Sequence, residues 1–178
     1  MVMDTPSLPP APLIITAQLP PAVFAWADGL RRAHFPPERN KIRAHVTLFN
    51  ALPPSVEDEV RRLLARHSAA PPPPAQITAI MPLGGGTAFA IESAAISAIH
   101  AELVESFHGV LTAQDGARRK LHVTVQNKVS GAEAKALQTE LARDFQPRAF
   151  AFAALELHRY RGGPWEDAGS WPFRGRRG

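Results

Sequence analysis

The sequence contains no cysteine. Disulfides, thiolate zinc sites and a cysteine nucleophile are therefore excluded, and nothing calls for an oxidising compartment. It also lacks any run of the ~18 apolar residues that a membrane-crossing helix needs. The apolar stretch Leu13 to Ala17 is short and fenced by Pro10, Pro12, Pro20 and Pro21. The one charged residue ahead of it is acidic Asp4, so the basic region of a secretory leader is missing there and a cytoplasmic location is expected. Charge of one sign is scarce as well. Twenty Lys and Arg face 16 Asp and Glu, for a formal net charge of +4. That surplus suits a phosphate-bearing partner without demanding one.

What is present suffices for a folded body. With 178 residues, 45% of them hydrophobic and 20% charged, the chain fits one domain or two small fused lobes. Prolines and glycines punctuate it. Residues 12–18 read as a buried strand and 21–34 as a helix with Pro21 in its first turn. Residues 42–50 alternate in polarity and read as a strand, followed by a helix over 55–68 capped by Ser55. The run Pro71 to Pro74 reads as a stiff linker. Strands over 76–82 and 87–92 flank the turn Gly84-Gly85-Gly86. A helix over 95–111, a strand over 119–129, a helix over 131–145 and a strand over 149–160 follow.

Sliding the sequence against itself exposes a repeat. At an offset of 77, Arg43-Ala-His-Val-Thr-Leu-Phe-Asn50 falls on Lys120-Leu-His-Val-Thr-Val-Gln-Asn127. The order strand, helix, strand, helix, strand thus occurs twice, over about 12–86 and 87–163, with a basic tail over 164–178. The fold class expected is α+β, as one bilobal domain. Two pseudo-symmetric lobes, each an antiparallel sheet with helices on its outer face, would flank a central cleft.

In a strand, residues i, i+2 and i+4 share a face. Arg43, His45, Thr47 and Phe49 share one in the first copy, and Lys120, His122, Thr124, Gln126 and Lys128 in the second. The opposite faces are greasy and core-like. A single H-x-T in a strand is weak evidence, but two copies beside basic residues, in repeats that have otherwise drifted apart, point to function. Two imidazoles with reference pKa near ~6.5 can serve as general base and general acid around neutral pH. Thr47 and Thr124 each add a hydroxyl, and Arg43 and Lys120 add positive charge. A phosphate between the two strands would find donors on both sides. Two histidines without Asp, Glu or Cys on those faces make a poor metal ligand set, so no metal or cofactor is expected.

These paired motifs, His45-Val-Thr-Leu48 and His122-Val-Thr-Val125, resemble the two H-x-T-x signatures of the two-histidine (2H) phosphoesterase superfamily. That superfamily includes bacterial 2′-5′ RNA ligases, also called RNA 2′,3′-cyclic phosphodiesterases. The resemblance spans about residues 12–161. It implies a bilobal fold around a V-shaped cleft and metal-independent opening of a 2′,3′-cyclic phosphate, on an RNA end or a small cyclic nucleotide, usually to a 2′-phosphate. It further implies His45 as donor to the leaving oxygen, His122 as activator of water, and Thr47 and Thr124 as holders of phosphate oxygens. Pseudo-symmetry leaves the residues themselves silent on which histidine is acid and which is base. The motifs run on as Phe49-Asn50-Ala51 and Gln126-Asn127-Lys128, unlike the better-known ligase branch, and so resemble a shorter, divergent one. Ligation through a 2′-5′ bond, the reverse of transesterification, would be a minor activity.

Gln126 and Lys128 are candidates for a ribose or a flanking phosphate, and Phe49 for stacking a base. Tyr160, Trp165 and Trp171 read either as a base platform or as pins for the tail. Arg174, Arg176 and Arg177 read as a mobile solubilising tail that could touch an RNA backbone. His34, His67, His100, His108 and His158 read as solvated or capping residues. A monomer without a membrane partner is expected. The rival readings are an RNA-binding module without turnover and a pseudoenzyme that binds a nucleotide. RNA-recognition sheets carry exposed aromatics on central strands, whereas these faces carry His and Thr.

Overall fold

Eight strands pair into two four-stranded antiparallel sheets, as a computed structural model describing residues 10–117 and 120–176 shows. The strands are β1 (Leu13–Gln18), β2 (Val46–Leu52), β3 (Pro74–Leu83), β4 (Gly86–Glu92), β5 (His122–Gln126), β6 (Arg148–Ala151), β7 (Ala154–Arg159) and β8 (Glu166–Pro172). The helices are α1 (Pro21–His34), α2 (Glu57–His67), α3 (Ala94–Ser106), α4 (Ala113–Gly116) and α5 (Gly131–Ala142). The first sheet has the order β2-β1-β7-β8 and the second β5-β4-β3-β6.

The two sheets are equivalent, but they are not the two sequence repeats. β3, the last strand of the first repeat, pairs with β4 of the second; β7, the last of the second, pairs with β1 of the first. Each half of the chain therefore completes the other's sheet. The strand expected over 149–160 is two strands in different sheets. Between them Phe152 N–H donates to Pro73 C=O at 3.0 Å and Ala153 N–H to Gln18 C=O at 2.9 Å, while the Phe152 side chain is fully buried. Residues expected to form only a tail contribute β8, because β7 offers an open edge that residues 166–172 pair with. The tail beyond β8 is also tied down rather than loose. Arg174 and Gly175 donate backbone N–H groups to Ser68 and Ala70 carbonyls, each at 3.0 Å. Arg177 lies outside the described residues.

Local chemistry sets the element ends. Ser130 and Glu133 form a reciprocal capping box at the start of α5. Ser93 caps α3, which ends at Ser106 rather than 111; Gly109 adopts φ +90° just beyond, and Thr112 then caps the short α4. Ser55 does not cap α2. It lies in a 3-10 turn over Pro54–Val56, and Glu57, Asp58 and Glu59 supply the first-turn negative charge instead. The expected proline linker ends by starting β3 at Pro74.

One continuous apolar cluster spans both sheets, including Leu13, Ile15, Val46 and Leu48 on the first, Ile77, Phe89, Val123 and Val125 on the second, and Phe152 between them. Helix α1 lies against β5 and stacks Trp26 on Phe89 of β4, with ring centroids 4.7 Å apart. Helix α5 covers β3 and β4, α2 touches β7, and α4 touches β2.

Candidate active site

Both motif strands are shorter than the alternation suggests. His45 lies one residue ahead of β2, and His122 is the first residue of β5. Each is held the same way. His45 Nδ1–H donates to the Arg43 carbonyl at 2.8 Å, and His122 Nδ1–H to the Lys120 carbonyl at 2.9 Å. A carbonyl oxygen only accepts, so Nδ1 carries the proton in both rings and Nε2 is the nitrogen left to exchange one. Thr47 and Thr124 are partly exposed, as are both histidines. The motif strands β2 and β5 touch one another, and a charge on His122 is felt at His45.

A bulge follows each threonine at the same motif position. Thr16 pairs with Thr47 while Ile15 pairs with Phe49, leaving Leu48 as the extra residue. Ala88 pairs with Thr124 while Thr87 pairs with Gln126, leaving Val125 extra. A bulge resets which face later residues occupy. Two expected substrate contacts are corrected by it. Phe49 is fully buried and stacks on His100 of α3 at 4.8 Å, so it is unavailable to a base. Gln126 is buried, and its side-chain carbonyl accepts from Thr87 Oγ1 at 3.0 Å. Arg43, Lys120 and Lys128 are exposed and lie outside the strands, Lys128 with φ 61°.

The fold adds residues that the repeat did not single out. Arg31 of α1 is 5% exposed. Its Nε–H donates to Asn40 Oδ1 at 2.7 Å and its Nη1–H to the Thr124 carbonyl at 3.0 Å. It thus links the segment leading to His45 with the strand carrying Thr124. Burial lowers its pKa, against the opposing pull of Asp28. Asp28 in turn accepts from Ala44 N–H at 3.0 Å. At the far end of β2, the buried Asp115 carboxylate accepts from Asn50 N–H and Ala51 N–H, each at 2.8 Å. No spacing rule connects Arg31 or Asp115 to the motifs; for Arg31, a charged residue at an otherwise apolar helix position was the one available signal.

Beside His45 opens a cavity of about 590 Å³, lined among others by Thr16, Arg43, Glu156, His158, Trp165 and Asp167. Trp165 meets the His45 ring edge-on, with centroids 4.7 Å apart. His158, read from sequence as solvated or capping, is 8% exposed and bound between Thr16 Oγ1 at 2.9 Å and Asp167 Oδ1 at 3.1 Å. Burial pushes the His45 pKa down to about 4; the Arg43 carbonyl opposes this, and Arg31, His158 and His122 add to it. Among the described residues, no three His, Asp or Glu side chains converge into a metal cage.

The fold has counterparts. The family model of the 2′-5′ RNA ligase superfamily matches residues 19–164. The chain is similar to the structure of TT0787 of Thermus thermophilus, at 15% identity and TM-score 0.62, covering 93% of this chain and 100% of that one. It is also similar to E. coli LigT complexed with 3′-AMP, at 16% identity and TM-score 0.57, with 93% and 99% covered. LigT complexed with NADP+ gives 16% identity, TM-score 0.58 and the same coverage. No curated protein matches in sequence. With the family model spanning most of the chain and its two motif strands in place, the protein belongs to the 2′-5′ RNA ligase superfamily of two-histidine phosphoesterases.

Proposed function

We propose that the protein opens 2′,3′-cyclic phosphates, on RNA ends or small cyclic nucleotides, by acid-base catalysis between His45 and His122. The observation that carries this reading is the duplicated ring geometry. Both imidazoles have Nδ1 committed to a backbone carbonyl two residues earlier and Nε2 left for proton transfer. In the forward reaction, Nε2 of one ring takes a proton from water as the water oxygen bonds to phosphorus. The bond from phosphorus to the ribose 3′-oxygen breaks, and the second ring's Nε2–H protonates that oxygen, leaving a 2′-phosphate. Thr47 and Thr124 hydroxyls donate to the non-bridging oxygens, where negative charge grows.

In-line displacement puts the water and the leaving oxygen on opposite sides of phosphorus. The leaving oxygen stays on its ribose, so the nucleoside lies on the acid's side. The large cavity adjoins His45, which supports His45 as the acid and His122 as the base. Burial keeps His45 neutral before substrate binds; the arriving phosphate anion offsets that burial and draws a proton onto the ring. Attack by an RNA 5′-hydroxyl in place of water would give a 2′-5′ bond at the same centre.

The test is turnover of 2′,3′-cyclic nucleotides in the presence of EDTA. Turnover is expected, and His45→Ala and His122→Ala should each lower kcat by ~10²–10⁴-fold. Thr47→Ala and Thr124→Ala should cost less. Near-full activity in either histidine variant would overturn the reading, and nucleotide binding without turnover would favour a non-catalytic nucleotide-binding protein.

A further inference from the structure

The two lobes match in topology but not in what surrounds their histidines. In the second sheet, His122 pairs with Ala90 and Thr124 with Ala88, and the next strand sets Ala79 and Met81 opposite those alanines. In the first sheet, Thr47 pairs with Thr16, Thr16 with Glu156, and Glu156 with Ser170. Residues opposite one another in antiparallel strands share a face. The residues beside His122 and Thr124 are therefore apolar, whereas those beside Thr47 form a polar row that includes the Glu156 carboxylate.

Resting on the phosphoesterase reading above, we infer that the cavity beside His45 is a guanine-selective base pocket. There the Glu156 carboxylate accepts the base's N1–H and exocyclic N2–H, and Trp165 provides the aromatic contact. Three observations carry this. First, at about 590 Å³ the cavity falls in the ~300–1,000 Å³ range of small-molecule sites. Second, Glu156 lacks a strong donor. Its one hydrogen bond among the described residues is the 3.5 Å approach of Thr16 Oγ1. His158 shares the same hydroxyl, its Nε2 2.9 Å from Thr16 Oγ1, while its Nδ1–H donates to Asp167 at 3.1 Å. Burial raises the Glu156 pKa and the Asp167 charge adds to the rise, with His158, Arg43 and the Thr16 hydroxyl opposing. Third, the spacing fits. Glu156 lies two strands from Thr47, about 10 Å at ~4.8 Å per strand, comparable to the span from a ribose phosphate to the far edge of a purine.

The base identity follows from the acceptor. An ionised carboxylate offers two acceptors and no donor. Guanine alone presents two adjacent N–H donors on its pairing edge. Adenine and cytosine set an acceptor beside their amino group, and uracil flanks its one N–H with carbonyls. Lys41 and Arg43 at the same cavity leave the phosphate side positive.

The experiment is calorimetric binding of guanosine, adenosine, cytidine and uridine 2′-monophosphates to the full chain, with cyclic-nucleotide turnover measured in parallel. Guanosine 2′-monophosphate should bind about tenfold or more tighter than the others, as a bidentate base contact gives. Glu156→Gln should erase that margin and leave the other three affinities unchanged. Trp165→Ala should weaken all four by roughly tenfold while preserving the order, because stacking is base-tolerant. Equal binding of the four, a different preferred base, or a margin that survives Glu156→Gln would each overturn the pocket. Turnover without base preference removes the pocket and leaves the phosphoesterase reading; guanine-selective binding without turnover does the reverse.

Discussion

At the scale of single residues, His45 is governed by its surroundings more than by its own chemistry. Its pKa of about 4 in the folded chain compares with 6.5 for a free imidazole. Above pH ~6.5 both folded and unfolded forms are neutral and the difference contributes nothing. As pH falls from there, the unfolded chain binds a proton that the folded one resists, and stability drops until the folded ring titrates near 4. The full difference approaches ~3 kcal/mol. Urea unfolding of wild type and His45→Gln should therefore diverge between pH 7 and pH 4.5, with the variant losing less stability on acidification. Parallel curves would show that the ring is not desolvated. Arg31 makes a second test. Arg31→Met removes the donors to Asn40 and to the Thr124 carbonyl, at a cost of about 1–3 kcal/mol. Arg31→Lys keeps the charge without the fork. Both should lower kcat for cyclic nucleotides by loosening the spacing of the motif strands, the lysine variant less so.

At the scale of elements, the bulges shape the site. Leu48 and Val125 are the fourth residues of the two motifs, and each is the residue the neighbouring strand leaves unpaired. Both are fully buried. The phase change leaves histidine and threonine partly exposed while the next aromatic or amide turns into the core. β5 also depends on the glycine turn ahead of β4. A Cβ on Gly86 would stand 2.0 Å from the Gln126 carbonyl oxygen, so the hairpin can approach β5 only with glycine there. Gly86→Ala should cost about 1–3 kcal/mol as an overpacking change and should lower activity as well, because the strand it displaces carries His122 and Thr124. Thermal unfolding read beside kcat checks both. Gly84→Ala, which meets open space, is the silent control.

At the scale of the whole molecule, the exchange of β3 and β7 decides how the lobes relate. Neither half of the chain holds a complete sheet, and the buried cluster is continuous between them. Residues 10–86 expressed alone lack β7, the strand beside β1. They are expected to stay unfolded or to associate with the complementary half. The full chain should unfold in one transition, with coincident tryptophan fluorescence and far-UV circular dichroism midpoints. Two separated midpoints would mean that the lobes are independent bodies.

The sequence alone determined most of the elements and pointed to the family. Helix α1 lies at the residues its proline and apolar spacing mark, and the H-V-T repeat at offset 77 located the two motif strands before any fold was known. These are local signals, set by propensity and by side-chain period. Only the tertiary structure decided the rest. Phe49 and Gln126 are buried, off the face that carries His and Thr, because a bulge shows up in the pairing of two strands, not in the alternation of one. The swap of β3 and β7 was hidden because any order of strands satisfies the same pattern of apolar residues. Arg31, Glu156, His158 and Trp165 were not singled out as a group because their roles rest on neighbours far along the chain: Thr124 for Arg31, Thr16 for Glu156 and His158, and His45 for Trp165. A duplicated sequence announces a symmetric pair of histidines; the differing residues on the strands beside them make the pair asymmetric.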